Sequence, residues 1–282
     1  MSQVWLITGA SRGLGRRIAE AALAAGHRVA ATARDADRLA DLADAHGERV
    51  LTASLDVADP VTVQQVVART TEHFGALDVV VNNAGQADFA PIEDTPAESF
   101  SAQIATNFWG VVHVTRAALP ILREQGSGHF IQVSSLGARM GTPGLAAYQS
   151  AKAAVNVFSM SLTKEVGPLG IKVTIVEPGN LRTDILTARS MTMLPISEPY
   201  EQTVGAFRGQ LSSQNGKQPG DPVRAAAAII RLAGMPEPPK RVVLGSDALN
   251  FAQEAARELA DSDDRWSHIS KSIDFPDSTP AA

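Results

Sequence analysis

The 282-residue chain contains no cysteine, which excludes a disulfide framework, a thiolate nucleophile and any Cys-based metal site. No apolar run approaches the ~20 residues needed to span a bilayer. Met1-Ser2-Gln3-Val4-Trp5 leads straight into an apolar stretch, without the basic segment and cleavage site of a secretory signal. A soluble, cytoplasmic protein is expected. Basic residues are not in excess either, with 25 Lys and Arg against 30 Asp and Glu. The formal net charge of −5 argues against nucleic acid or an anionic membrane as partner. Internal repeats and low-complexity blocks are also missing. What remains is 44% hydrophobic and 20% charged, ordinary globular material with enough chain for one sizeable core.

Short apolar runs recur along the chain at Val4–Thr8, His27–Thr32, Arg49–Leu55, Leu77–Asn82, Gly128–Ser134, Ile171–Val176 and Arg241–Leu244. Helix-length segments separate them, the first from Leu14 to Ala25, closed by Gly26. This alternation predicts an α/β fold: a doubly wound, Rossmann-type, seven-stranded parallel sheet with helices on both faces. A single domain over 1–260 is expected. Two regions break the rhythm. Asp184–Pro222 is long and carries Met191, Met193, Leu194, Tyr200 and Phe207 among prolines, which reads as a substrate lid. Beyond a helix over Ala248–Leu259, residues 261–282 read as a partly flexible tail.

Three stretches carry chemistry. Thr8-Gly9-Ala10-Ser11-Arg12-Gly13-Leu14-Gly15 joins the first strand to the first helix. Glycines there permit a tight turn, so a pyrophosphate can meet the free N–H groups of the helix start. After the second strand the chain reads Thr32-Ala33-Arg34, with Ala33 where an NAD enzyme places an acid. Arg12 and Arg34 offer forks that match phosphate oxygens, although Asp35 adds repulsion, so NADP is the expected cofactor. Asn82-Asn83-Ala84-Gly85 follows the fourth run, and Asp56-Val57 ends the third. Each of these fits either a cofactor contact or a capped turn.

The third stretch is Tyr148-Gln149-Ser150-Ala151-Lys152. On a helix, residues four apart share a face, which brings the ammonium near whatever the phenol touches. A nearby cation lowers a phenol pKa from its usual value of about 10, while burial raises it. The pair works as an acid–base device only where charge outweighs desolvation.

Together these motifs resemble the main, single-domain branch of the short-chain dehydrogenase/reductase family, from about Val4 to Thr183. The resemblance implies catalytic Ser135, Tyr148 and Lys152, with Asn107 in support. It implies that Tyr148 gives the proton, Ser135 holds the carbonyl oxygen, and Lys152 depresses the phenol pKa and binds the nicotinamide ribose. Asn107 would keep a water that relays protons through Lys152. The cofactor would lie against Gly9, Ser11, Arg12, Gly13, Leu14, Gly15, Arg34, Asp56, Val57, Asn83, Ala84 and Gly85. Tyr148, Lys152, Pro178, Gly179, Leu181 and Thr183 would complete its contacts. No metal is implied.

The expected reaction is NADPH-dependent interconversion of a ketone or aldehyde and an alcohol, on a medium-sized apolar substrate touching Ser135, Leu136, Met140 and Tyr148. The alternatives are an NAD-dependent alcohol or steroid-type dehydrogenase, and a non-catalytic NADP-binding regulator. Many family members end soon after the last strand, whereas this chain continues. A homodimer through the helices holding Asn107 and Ala153–Glu165 is therefore expected, with a tetramer as the alternative.

Overall fold

A computed structural model describes residues 2–183 and 191–275. The first half alternates β1 (Val4–Ile7), α1 (Gly13–Ala24), β2 (Arg28–Ala33), α2 (Ala40–His46), β3 (Val50–Ser54), α3 (Pro60–Phe74), β4 (Val79–Asn82) and a short β5 (Ala87–Phe89). Then follow α4 (Ala97–Ile104), α5 (Gly110–Gln125), β6 (Gly128–Val133), α6 (Ala146–Val166) and β7 (Ile171–Pro178). The described remainder holds β8 (Met191–Met193), α7 (Ala206–Ser213), α8 (Pro222–Ala233), β9 (Arg241–Leu244) and α9 (Ser246–Lys271).

Seven strands form one parallel sheet in the order β3-β2-β1-β4-β6-β7-β9, the architecture expected from the sequence. Alternation along β1 explains its two-sided burial. Trp5 and Ile7 pack on one face with Ile18 and Leu23 of α1 and Ile229 of α8. Val4 and Leu6 pack on the other with Val66 and Val67 of α3 and Leu122 of α5. Both faces of the sheet are dry, so the strands read as continuous apolar runs rather than alternating ones.

Local signals fix the helix ends. Asp59 accepts from the backbone N–H groups of Val61 and Thr62 at the start of α3, with Pro60 at the first helical position. Gly75, at φ 77°, closes it in the left-handed region. Strand order reverses between β1 and β4, whose other neighbours lie on opposite sides. A crevice therefore opens at the carboxyl ends of these strands, where ligands bind in such sheets.

The structure adds elements to the two irregular regions. In the expected lid, residues 184–190 lie outside the described ones. Met191–Met193 forms β8 and pairs in parallel with β5, making a second, two-stranded sheet. The helix expected over Ala248–Leu259 runs instead from Ser246 to Lys271. Asp247 in its first turn and His268 and Lys271 in its last suit the helix dipole, which accounts for the extension through a polar stretch. Residues 276–282 of the expected tail lie outside the described ones.

Candidate active site

The glycine turn begins where β1 ends. Thr8 Oγ1 donates to the Val81 carbonyl (3.2 Å) and accepts the N–H groups of Asn83 and Ala84 (3.0 Å each). Asn83 Nδ2 donates to the carbonyls of Thr8 (2.8 Å) and Gly9 (3.2 Å). Asn83 thus staples the turn from beneath. Gly9 has φ +68°, and a Cβ there would lie 2.9 Å from Ala84 Cα. A Cβ at Gly15 would collide with Asn83 Nδ2 and the Gly9 carbonyl. Bare backbone is therefore required on both sides of the turn, and α1 starts at Gly13 with its first N–H groups lacking intrahelical acceptors. Ser11, Arg12 and Leu14 are half-buried around it.

The Ala10 N–H donates to the Thr32 carbonyl (2.8 Å), so the turn crosses the end of β2 just before Ala33 and Arg34. Arg34 is exposed and its carbonyl accepts from Ser54 Oγ (2.8 Å). Asp35 caps the following short turn by accepting from the Asp37 N–H (3.2 Å). Asp56 is also exposed and accepts from the Ala58 N–H (2.9 Å). Val57 is buried against Gly110, where a Cβ would lie 2.5 Å from Val57 Cγ2. On the far side, a Cβ at Gly13 would lie 3.9 Å from Thr183 Cβ, so the segment after β7 returns to the glycine turn. That segment is latched: the Gly179 N–H donates to the Leu244 carbonyl (2.9 Å), and the Asn180 N–H to Asp247 Oδ2 (3.0 Å). Leu181 bridges Gly220, and Pro178 closes β7.

Tyr148 and Lys152 lie one turn apart at the start of α6. Lys152 is buried, its Nζ 2.9 Å from the Val133 carbonyl and 5.8 Å from the centre of the Tyr148 ring. Burial brings its pKa down from 10.5 to about 8. Burial likewise pushes the Tyr148 phenol up, and the hydrogen-bonded Ser135 hydroxyl pulls it partly back. The resemblance implies that Lys152 depresses the phenol; in the structure burial is the larger influence on it. Ser135 also accepts from the Gly137 N–H (3.0 Å), so it caps the turn after β6 as well as facing the phenol.

Asn107 is fully buried in a π-helical turn, Ala105–Trp109, between α4 and α5. Such turns often mark functional sites. Its Nδ2 donates to the carbonyls of Gln86 (2.7 Å) and Gln103 (2.9 Å), and its Oδ1 accepts from the Gln86 N–H (3.2 Å). A Cβ at Gly85 would lie 2.8 Å from Asn107 Oδ1 and 3.7 Å from Lys152 Nζ. Gly85, Asn107 and Lys152 therefore converge.

The residues expected to touch substrate fall in two separate apolar clusters. Tyr148 packs with Phe89 of β5 and with Met191, Val204 and Phe207 of the segment expected to form the lid. Leu136 and Met140 pack instead with Ala248 and Ala252 of α9. Sequence reasoning missed Glu177, which is fully buried at the end of β7. Arg139 Nε donates to its Oε2 (2.9 Å), and Asn156 Nδ2 to its Oε1 (2.7 Å). This carboxylate ties the Ser135 loop to α6. Asp247 was missed as well, since its role depends on a distant segment. Phe89 sits in a strand too short to show periodicity.

The family model described as short chain dehydrogenase matches residues 3–193. The chain belongs to the short-chain dehydrogenase/reductase family. It is similar to the oxidoreductase BOA17 of Botryotinia fuckeliana, 49% identical over 271 residues and covering 96% of this chain and 98% of that protein. A short-chain dehydrogenase from Streptomyces avermitilis has the same fold, with TM-score 0.90 and 38% identity over 98% of this chain and 100% of its own. An alcohol dehydrogenase from the archaeon Thermococcus sibiricus, solved with 5-hydroxy-NADP, aligns with TM-score 0.72 and 28% identity. That match covers 86% of this chain and 96% of the archaeal one. This short-chain dehydrogenase/reductase is an oxidoreductase acting on alcohol and carbonyl groups. A nicotinamide dinucleotide suits the bare backbone at Gly9 and Gly15, the free N–H groups of α1 and the return of Thr183. No described helix is long and apolar enough to cross a membrane.

Proposed function

We propose that this dehydrogenase is an NADPH-dependent carbonyl reductase, or alcohol dehydrogenase in reverse, acting on a medium-sized apolar substrate. The observation that carries the reading is the Tyr148 phenol, hydrogen-bonded to Ser135 and kept protonated by burial one turn from Lys152. A nicotinamide held there would supply hydride to the carbonyl carbon. Tyr148 donates its phenolic proton to the carbonyl oxygen, which Ser135 Oγ holds by a hydrogen bond. Lys152, anchored on Val133, would hold the nicotinamide ribose and offset the charge left on the phenolate. Asn107 fixes the backbone at Gln86 and keeps Gly85 close to Lys152.

NADP preference rests on Ala33 in place of an acid, on Arg12 and Arg34 near the end of β2, and on Asp35 being engaged as a turn cap. The NADP-type ligand of the archaeal relative supports it. The apolar substrate follows from Phe89, Met191 and Phe207 around the phenol, with Leu136 and Met140 opposite. Trp109, Val157 and Met160 are exposed on the α5–α6 face and suit a homodimer there.

The test is NADPH and NADH oxidation against apolar ketones, diketones and small polyols. Efficient NADPH turnover of apolar ketones is expected, with Arg34→Glu raising the KM for NADPH roughly tenfold or more while sparing that for NADH. Equal use of both cofactors by the wild type contradicts the cofactor assignment. Turnover confined to small polyols contradicts the substrate class.

A further inference from the structure

Among the described residues, Lys152 and Glu177 are the only Asp, Glu, Lys or Arg side chains that are buried. Lys152 stands beside Tyr148. Glu177 lies at the end of β7, with both carboxylate oxygens engaged. Oε2 accepts from Arg139 Nε (2.9 Å) and Nη2, and Oε1 from Asn156 Nδ2 (2.7 Å), with Arg241 Nε 3.9 Å from Oε1. A buried ion pair is a poor source of stability, since well-packed apolar residues often do as well or better. What this one fixes is the geometry between two segments of the site.

The partners of the carboxylate lead to those two segments. Arg139 ends the short turn Leu136–Ala138, and Ser135 caps its start. Asn156 follows Tyr148 and Lys152 at four-residue spacing on α6, on the face that carries them. The sheet holds the chain as far as Ser134, whose N–H donates to the Val176 carbonyl (2.8 Å). Beyond that point the turn is tied up by its own bonds. The Ala138 N–H donates to the Ser135 carbonyl (3.0 Å) and the Arg139 N–H to the Leu136 carbonyl (2.9 Å). A displacement of Arg139 is therefore passed back to Ser135. Further along, the Thr142 N–H donates to Gln149 Oε1 (2.9 Å), which anchors the far end of the loop to α6.

We propose that Glu177 is a positioning residue for the reaction, holding the Ser135 hydroxyl in place against the Tyr148 phenol through Arg139 and Asn156. This rests on the reading that Ser135 and Tyr148 act together on the substrate oxygen. Glu177 is enclosed, so it acts through its partners and not by touching substrate.

Two variants test the role, Glu177→Gln and Arg139→Met/Glu177→Met, the second of which leaves no buried charge unpaired. Each is compared with and without Ser135→Ala, using the carbonyl compound and cofactor that the wild type turns over fastest. Both should slow single-turnover hydride transfer roughly tenfold or more, with the KM for cofactor within about threefold of wild type. In the Ser135→Ala background the further loss should be less than about threefold, because the positioned hydroxyl is gone. Hydrogen exchange without added cofactor gives a second readout. The amides of residues 137–142 should exchange faster in both variants, while those of β1 and α1 keep wild-type protection. A role in stability alone would loosen the molecule throughout and spare the rate of the double-methionine variant. Full losses retained in the Ser135→Ala background, or wild-type exchange in the loop, overturn the inference. Ser135→Ala at the wild-type rate overturns the reading beneath it as well.

Discussion

The Lys152 ammonium lies over the face of the Tyr148 ring, 5.8 Å from its centre, and its hydrogen bond goes to the Val133 carbonyl rather than to the phenol oxygen. The two groups share one helical face, yet the cation is not aimed at the hydroxyl. The phenol is governed by burial and by Ser135. That suits a proton donor, which must be protonated before the carbonyl arrives.

The first prediction concerns that phenol directly. The chain has two tyrosines, Tyr148 and Tyr200, and both are pushed above the usual value of 10. Burial raises Tyr148, and the hydrogen bond to Glu93 raises Tyr200. Ultraviolet titration of the cofactor-free protein should show no tyrosinate below about pH 10. Tyr200→Phe isolates Tyr148. A Tyr148 transition near neutral pH in that variant contradicts the burial argument.

Lys152 gives a prediction about stability. Its folded pKa is about 8 against 10.5 for the free side chain. Between these values the unfolded chain holds a proton that the folded chain lacks, so stability rises with pH through that window. Below it the folded state bears the full cost, on the order of 3 kcal/mol. Lys152→Met removes that cost and loses the bond to Val133, worth about 1 kcal/mol. At pH 7 the variant should melt roughly 2–6 °C above the wild type, with the gap closing by about pH 10.5. Calorimetry at the two pH values checks this, and a variant that melts lower at pH 7 contradicts it. Activity should fall even as stability rises, a trade common at catalytic positions.

The legible part of the molecule was the part whose signals are local. Gly9, Gly13 and Gly15 fall between an apolar run and a helical one, and the seven strands stand out because both sheet faces are buried. Tyr148 and Lys152 are four residues apart and needed only a helix. By contrast, Ala87–Phe89 and Met191–Met193 are three-residue strands that exist only by pairing across the fold. Glu177 is the next-to-last residue of β7, and its partner Arg139 is 38 residues earlier, so no spacing announces the pair. The extension of α9 to Lys271 was masked by its polar composition, since it buries only two alanines.

The Glu177 contact carries a prediction of its own. The carboxylate has no exposure, and removing Arg139 leaves it with Asn156 and, at 3.9 Å, Arg241. Arg139→Ala should cost about 3 kcal/mol of stability, measured by denaturant titration. Arg139→Met/Glu177→Met should recover much of that loss, because no buried charge is then left uncompensated. Equal stability of Arg139→Ala and the wild type contradicts the assignment of Arg139 as the main partner.

The most direct test is single-turnover oxidation of NADPH by an apolar diketone, comparing the wild type with Tyr148→Phe. The phenylalanine keeps the ring among Phe89, Met191 and Phe207 and removes the hydroxyl, with its proton and its bond to Ser135. Hydride transfer from saturating NADPH should slow by roughly 10²–10⁴-fold. A Tyr148→Phe variant that reduces the diketone at the wild-type rate would contradict the proposed chemistry.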